Sequence, residues 1–214
     1  MLRFGVDLGG SKIELIALDD AAEECYRQRV TTPQGDYKKT LLAIADLVAT
    51  AETKLAAVGS VGIGTPGSIS PTTGLLRNSN SVCLNGMPLQ QDLEKILARP
   101  VRLANDANCF ALSEAVDGAA MDAASVFAVI IGTGCGAGVV IDKKLINGAN
   151  AISGEWGHNP LPAPSQEEQA VPRCWCGRSL CIESFLSGPA LSAEYQRVGR
   201  QFRSAQEIVD LATK

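Results

Sequence analysis

"SVFAVIIGTGCGAGVVI", residues 125–141, is the most apolar stretch of the chain, and its reading decides the fold. Four glycines, at 132, 134, 136 and 138, interrupt it. A membrane span needs an unbroken apolar run, whereas glycines between β-rich flanks mark a turn, so the stretch reads as strand, turn, strand. Gly132 to Ala137 also matches the G-x-G-x-x-A pattern of dinucleotide-binding proteins. That pattern must open a helix whose N-terminus meets the pyrophosphate. Here the continuation "GVVIDKKLI" is β-rich, which predicts a second strand and argues against a nicotinamide cofactor.

The same theme opens the chain. "RFGVDL" and "IELIALDD" flank Gly9 and Gly10 as a hairpin, and "ECYRQRVTTP" reads as a third strand. Asp36 then caps "DYKKTLLAIADLVATAETKL", whose apolar residues at 41, 42, 44, 45, 47 and 48 suit an amphipathic helix. "VGSVGIGTPG" is a buried strand, "PLQQDLEKILA" a helix, "PVRLAN" a strand and "DANCFALSEAVDG" a helix starting at Asp106. Strands followed by alternating helix and strand predict an α/β layered fold. Two domains are expected, residues 1–118 and 119–214, each carrying one glycine hairpin.

An apolar share of 46% in 214 residues can build a real core. The net charge is −4 and no Lys/Arg run exceeds two residues, which argues against a nucleic-acid surface or a polybasic membrane anchor. "MLRFGVDLGG" has no apolar run with a cleavage site, so no signal peptide is expected. Seven cysteines without a secretion signal fit a reducing, cytoplasmic compartment. Cys25, Cys83, Cys109 and Cys135 stand singly and read as small buried residues.

Three features carry chemistry. Asp7, Gly9, Gly10, Ser11 and Lys12 in "DLGGSK" form a turn whose backbone N–H groups can converge on an anion, with Asp7 placed to hold Mg²⁺ through water. Gly132, Thr133, Gly134 and Gly136 form the second such turn. Two glycine hairpins suit a nucleoside triphosphate, while the lack of GxxxxGK[ST] excludes a P-loop. Asn105 and Asp106 sit between a strand and a helix, where they either cap the helix or supply a general base. "RCWCGRSLC", residues 173–181, packs three thiols together. A structural zinc would want a fourth ligand, and the chain holds one histidine, His158, in "GEWGHNPLP".

"DLGGSK", "GIGTPG", "NDANC", "GTGCGAG", "GEWGH" and "CWCGRSLCIE", in that order, resemble the ROK family (repressors, open reading frames and kinases). The resemblance covers nearly the whole chain and is weakest after about residue 190. It implies an actin-like, ribonuclease-H-like ATPase fold of two domains, with hexose and ATP in the cleft between them. It implies Asp106 as catalytic base, Asn105, Glu155, His158 and Glu183 as holders of sugar hydroxyls, and His158, Cys174, Cys176 and Cys181 as zinc ligands. The motifs look closest to the fructokinase/mannokinase branch, so fructose phosphorylation is expected, with N-acetylglucosamine kinase or a sugar-sensing repressor as alternatives. The partners so implied are the small-molecule hexose and ATP; a homodimer is compatible with them. Two departures stand out: Ser11 replaces the usual Thr, and Leu180 replaces the usual Gly, which strains the chain if φ is positive there. Family members continue past "EIVDLATK" into further helices and an adenosine-contacting segment, so residues 1–214 are expected to lack a C-terminal part.

Overall fold

A computed structural model describes residues 1–213. The chain divides into two compact units. The first comprises Met1–Cys109 with Gly148–Ala151, and the second Phe110–Asn147 with the chain from Ile152 onward.

The first unit is built on a five-stranded sheet whose strands, from one edge to the other, are Glu24–Thr31, Lys12–Leu18, Leu2–Leu8, Gly59–Thr65 and Val101–Asn105. Strands β1 (Leu2–Leu8), β2 (Lys12–Leu18) and β3 (Glu24–Thr31) form an antiparallel meander, and β4 (Gly59–Thr65) and β7 (Val101–Asn105) run parallel to β1. Alternation does the sorting: Phe4, Val6 and Leu8 of β1 and Ile13, Leu15 and Ala17 of β2 are buried. Helix α1 (Tyr37–Leu55) contributes Leu41, Ile44, Leu47, Val48 and Ala51 to the same core. Asp36 caps α1 as expected, its Oδ1 accepting from the Lys39 amide at 3.0 Å. Helix α2 (Leu89–Leu97) adds Leu89 and Leu93, and the two-residue strands β5 (Ser68–Ile69) and β6 (Leu76–Arg77) fold the intervening loop.

Helix α3 (Asp106–Val116) leads into the second unit. There β8 (Ser125–Ile131), β9 (Cys135–Ile141) and β10 (Lys144–Leu145) form an antiparallel sheet. Ala111 and Ala115 of α3 pack on Ala128 and Val140. The expected strand, turn, strand of 125–141 is therefore present, with register Ile131↔Cys135 across the glycine turn. Short helices α4 (Glu183–Leu186), α5 (Gly188–Arg197) and α6 (Ala205–Ala212) follow. Among the described residues no helix is long and apolar enough to cross a membrane. The expectation of four buried single cysteines holds for Cys135; Cys83 is half-buried, and Cys25 and Cys109 are exposed as residues, although the Cys109 thiol itself turns toward Gly64. Cys25 stands on β3, whose alternate positions face solvent, and Cys109 lies in the first turn of α3.

Candidate functional site

In the first unit, Asp7, Gly64 and Ala104 fall in one row across β1, β4 and β7, and Thr65 and Asn105 in the next. The carboxyl ends of the parallel strands therefore lie together, where open α/β sheets bind ligands. Asp106 follows directly on β7. Asn105 performs the capping: its Oδ1 accepts from the Asn108 amide at 3.2 Å and its Nδ2 donates to the Gly67 carbonyl at 3.1 Å. The Asn105 side chain also hydrogen-bonds the Asp106 carboxylate, and its Oδ1 keeps a further acceptor site for a ligand. Asp106 is thus relieved of the capping role, and its Oδ1 accepts from the adjacent Ala107 amide at 2.8 Å.

Burial raises the Asp106 pKa above its ordinary 3.8, against the lowering effect of the Ala107 amide. Asp7 is raised as well, by burial first and then by the charges of Asp106 and Glu14. Both residues present solvent-facing area, yet their carboxyl groups are packed deeply enough to lose hydration. Two desolvated carboxylates that feel each other are suited to holding a cation and moving a proton. The Cys109 thiol, one turn further on, is also raised, by burial and by these two charges.

The first glycine turn is closed by Gly9 N–H donating to the Lys12 carbonyl at 3.0 Å. Sequence reasoning missed what holds it. Thr32 Oγ1 donates to the Gly9 carbonyl at 2.7 Å and Gln34 Nε2 to the Gly10 carbonyl at 3.0 Å. With those carbonyls engaged from the β3–α1 connection, the turn is held in one shape. No local pattern marks Thr32 or Gln34 for this role; only the pairing of β2 with β3 brings them there.

In the second unit the glycine turn has a different neighbour. Gly132 N–H donates to the Gly134 carbonyl at 2.9 Å, and the Cys135 amide donates to Glu183 Oε2 at 2.9 Å. A Cβ on Gly134 would stand 2.7 Å from that same oxygen, so glycine is what lets Glu183 reach the turn. Gly136 lies inside β9, where its carbonyl accepts from the Trp156 indole at 2.8 Å. "GEWGH" packs on β9 through its two glycines: Cβ atoms at 154 and 157 would stand 2.0 Å from the Ala137 carbonyl oxygen and 2.3 Å from that of Cys135. Glu155 precedes this packed turn, Trp156–His158, and His158 ends it.

The thiol cluster forms because 159–161 pairs with 180–182. Leu161 N–H donates to the Leu180 carbonyl at 2.7 Å, and Ile182 N–H to the Asn159 carbonyl at 3.0 Å. A tight turn, with Gly177 N–H on the Cys174 carbonyl at 2.9 Å, folds Cys174 and Cys176 inward. The donor atoms of His158, Cys174, Cys176 and Cys181 all lie within 4.8 Å of one another. Cys174 Sγ is 3.6 Å from His158 Nδ1, and Cys176 Sγ is 3.6 Å from Cys181 Sγ. A tetrahedral zinc with Zn–S of about 2.3 Å implies sulfur–sulfur edges of about 3.8 Å, so three thiols and one imidazole fit the ion. Leu180 has φ +61°, the left-handed strain foreseen for a non-glycine at that position.

Comparison with known proteins places the fold and the family. The profile of the ROK family matches residues 3–214. The chain is 38% identical over 215 residues to an N-acetyl-D-glucosamine kinase of Haemophilus influenzae, spanning 98% of this chain and 71% of that one. It is 42% identical over 214 residues to an N-acetyl-D-glucosamine kinase of Citrobacter koseri, again spanning 98% and 71%. Among solved structures, a ROK hexokinase from Thermus thermophilus superposes with TM-score 0.82 at 30% identity, covering all of this chain and 69% of the other. A ROK glucokinase from Streptomyces griseus, in complex with glucose and AMPPNP, superposes with TM-score 0.75 at 30% identity, covering 93% and 62%. The fold is the expected actin-like ATPase fold, and the chain belongs to the ROK family.

Proposed function

We propose that this chain is an ATP-dependent sugar kinase that phosphorylates N-acetyl-D-glucosamine. The observation that carries the reading is Asp106: a partly desolvated carboxylate at the carboxyl end of β7, freed from capping by Asn105. Phosphoryl transfer needs such a group to accept the proton of the attacking hydroxyl, here the sugar's 6-hydroxyl. For the sugar, the support is the 38% and 42% identity to N-acetyl-D-glucosamine kinases. That favours the alternative over fructose, the sugar expected from the motifs.

In this reading Asp106 is the base. Asn105, Glu155, His158 and Glu183 hold sugar hydroxyls. Gly9, Gly10, Ser11 and Lys12 in the first unit, and Gly132, Thr133, Gly134 and Gly136 in the second, face the phosphates, and Asp7 holds Mg²⁺ through water. The Gly132 and Cys135 amides are already engaged, so the second turn offers the N–H groups of Thr133 and Gly134. His158, Cys174, Cys176 and Cys181 would hold zinc, which supplies a crosslink and takes no part in the transfer. With Nδ1 toward Cys174, His158 keeps Nε2 for a hydroxyl.

The test is ADP release with Mg²⁺ and ATP against N-acetyl-D-glucosamine, glucose, mannose and fructose. The highest kcat/KM is expected for N-acetyl-D-glucosamine. A preference for fructose would overturn the sugar assignment, and ADP release unaffected by any sugar would overturn the kinase reading.

A further inference from the structure

We infer that Trp175 is the positioning residue for Glu183, a role that rests on the sugar-binding reading of Glu183. Trp175 stands between two cluster cysteines, and its spacing there would be met by any residue. Its own contacts are specific. The indole N–H donates to Glu183 Oε1 at 2.6 Å, a short charge-assisted bond. The ring meets His158 edge-on, with centroids 5.0 Å apart and planes at 80°. The residue is nevertheless 66% exposed, so burial does not account for its placement.

Glu183 is therefore clamped at both oxygens. The Cys135 amide, fixed in the β8–β9 hairpin, holds Oε2, and Trp175 holds Oε1. Two donors set the plane of the carboxylate, and each oxygen keeps a further acceptor site for a sugar hydroxyl. The two donors differ in kind. One belongs to the β8–β9 hairpin; the other rides on the Cys174–Gly177 turn, which carries two cluster thiols and whose shape depends on the cluster. Trp175 is thus the link by which a loaded cluster orients a group that grips the sugar. A ring without the N–H would keep the contact with His158 and lose the clamp.

The experiment compares zinc-loaded wild type with Trp175→Phe. Zinc content is read by elemental analysis, N-acetyl-D-glucosamine affinity by calorimetry, and KM and kcat by ADP release. The clamp itself is read without sugar, from the Trp175 indole N–H resonance, which is expected to move in Glu183→Gln. Trp175→Phe is expected to keep one zinc per chain and weaken sugar binding about tenfold, the scale of a lost hydrogen bond to a charged group. KM for the sugar should rise while KM for ATP and kcat stay within about twofold. Unchanged sugar affinity in the loaded variant, loss of zinc from it, or an indole resonance indifferent to Glu183→Gln would each overturn the inference. An indole shift in Glu183→Gln together with a wild type that binds no sugar would instead overturn the kinase reading.

Discussion

Asp106 is a residue whose chemistry and stability pull in opposite directions. Asp106→Asn keeps the Ala107 hydrogen bond but cannot accept a proton, so turnover is expected to fall by at least about 100-fold with sugar affinity little changed. Were Asp106 only a helix residue, ADP release would stay near wild type. The same variant carries a sign in pH. Burial raises the folded pKa, so the folded chain binds this proton more tightly than the unfolded chain. The group's favourable contribution is complete below 3.8 and is lost as pH rises through the folded value. Asp106→Asn should therefore raise the urea midpoint at pH 7, with the gain disappearing below pH about 4. A gain that persists at low pH would assign the effect to something other than ionisation. Leu180 pays a cost of a different kind, about 1 kcal/mol for a left-handed non-glycine residue. Leu180→Gly relieves it, and the added freedom of the unfolded chain offsets part. Zinc-loaded Leu180→Gly should unfold at the same urea concentration as wild type or slightly higher. A loss above about 1 kcal/mol would mean that packing by the half-buried leucine outweighs the strain.

At the scale of elements, the two glycine patterns of the second unit serve different ends. At Gly134 the obstacle to a Cβ is the tip of a flexible side chain, Glu183, at 2.7 Å. At Gly154 it is backbone, the Ala137 carbonyl at 2.0 Å, and φ there is +88°. Gly134→Ala should hence displace the Glu183 carboxylate, weakening N-acetyl-D-glucosamine binding several-fold with a melting temperature near wild type. Gly154→Ala should dislodge the whole 154–158 turn from β9, costing about 3 kcal/mol or more, on the scale of the severe backbone effects. Equal thermal stability of the two variants would contradict this division. The helices show similar economy: Asn105 caps α3 through the Asn108 amide, which leaves the Asp106 carboxylate outside the capping role.

At the scale of the molecule, the thiol–imidazole cluster stands in for a core that the 152–182 segment lacks. Cys174 and Cys181 are its buried anchors, while Trp175, Arg178 and Ser179 are exposed. Metal-ligand bonds can supply about 10–16 kcal/mol in small zinc modules, far more than this stretch's few apolar contacts. One zinc per chain is expected by elemental analysis. Chelation should speed amide exchange across 155–183, leave the sheet of the first unit protected, and weaken sugar binding. Protein loaded with zinc salts that still carries no metal would refute the assignment.

What could be read along the chain was whatever local chemistry determines. Short apolar runs flanking glycine turns set β1, β2, β8 and β9, Asp36 set the start of α1, and β-rich continuation after 132–138 ruled out a dinucleotide turn, because these depend on neighbours within a few positions. The spacing of Cys174, Cys176 and Cys181 was equally plain. Which partner each group meets was decided only in three dimensions. Asn105 and Asp106 are adjacent and both suit a helix start; the approach of the Gly67 carbonyl and the Asn108 amide is what separates them into cap and carboxylate. Glu183 lies 48 residues from Cys135 and meets its amide only because 159–161 pairs with 180–182 beside β9. Hydrogen bonds that close over such distances leave no periodic trace in the sequence, since the donors are backbone amides that every residue carries.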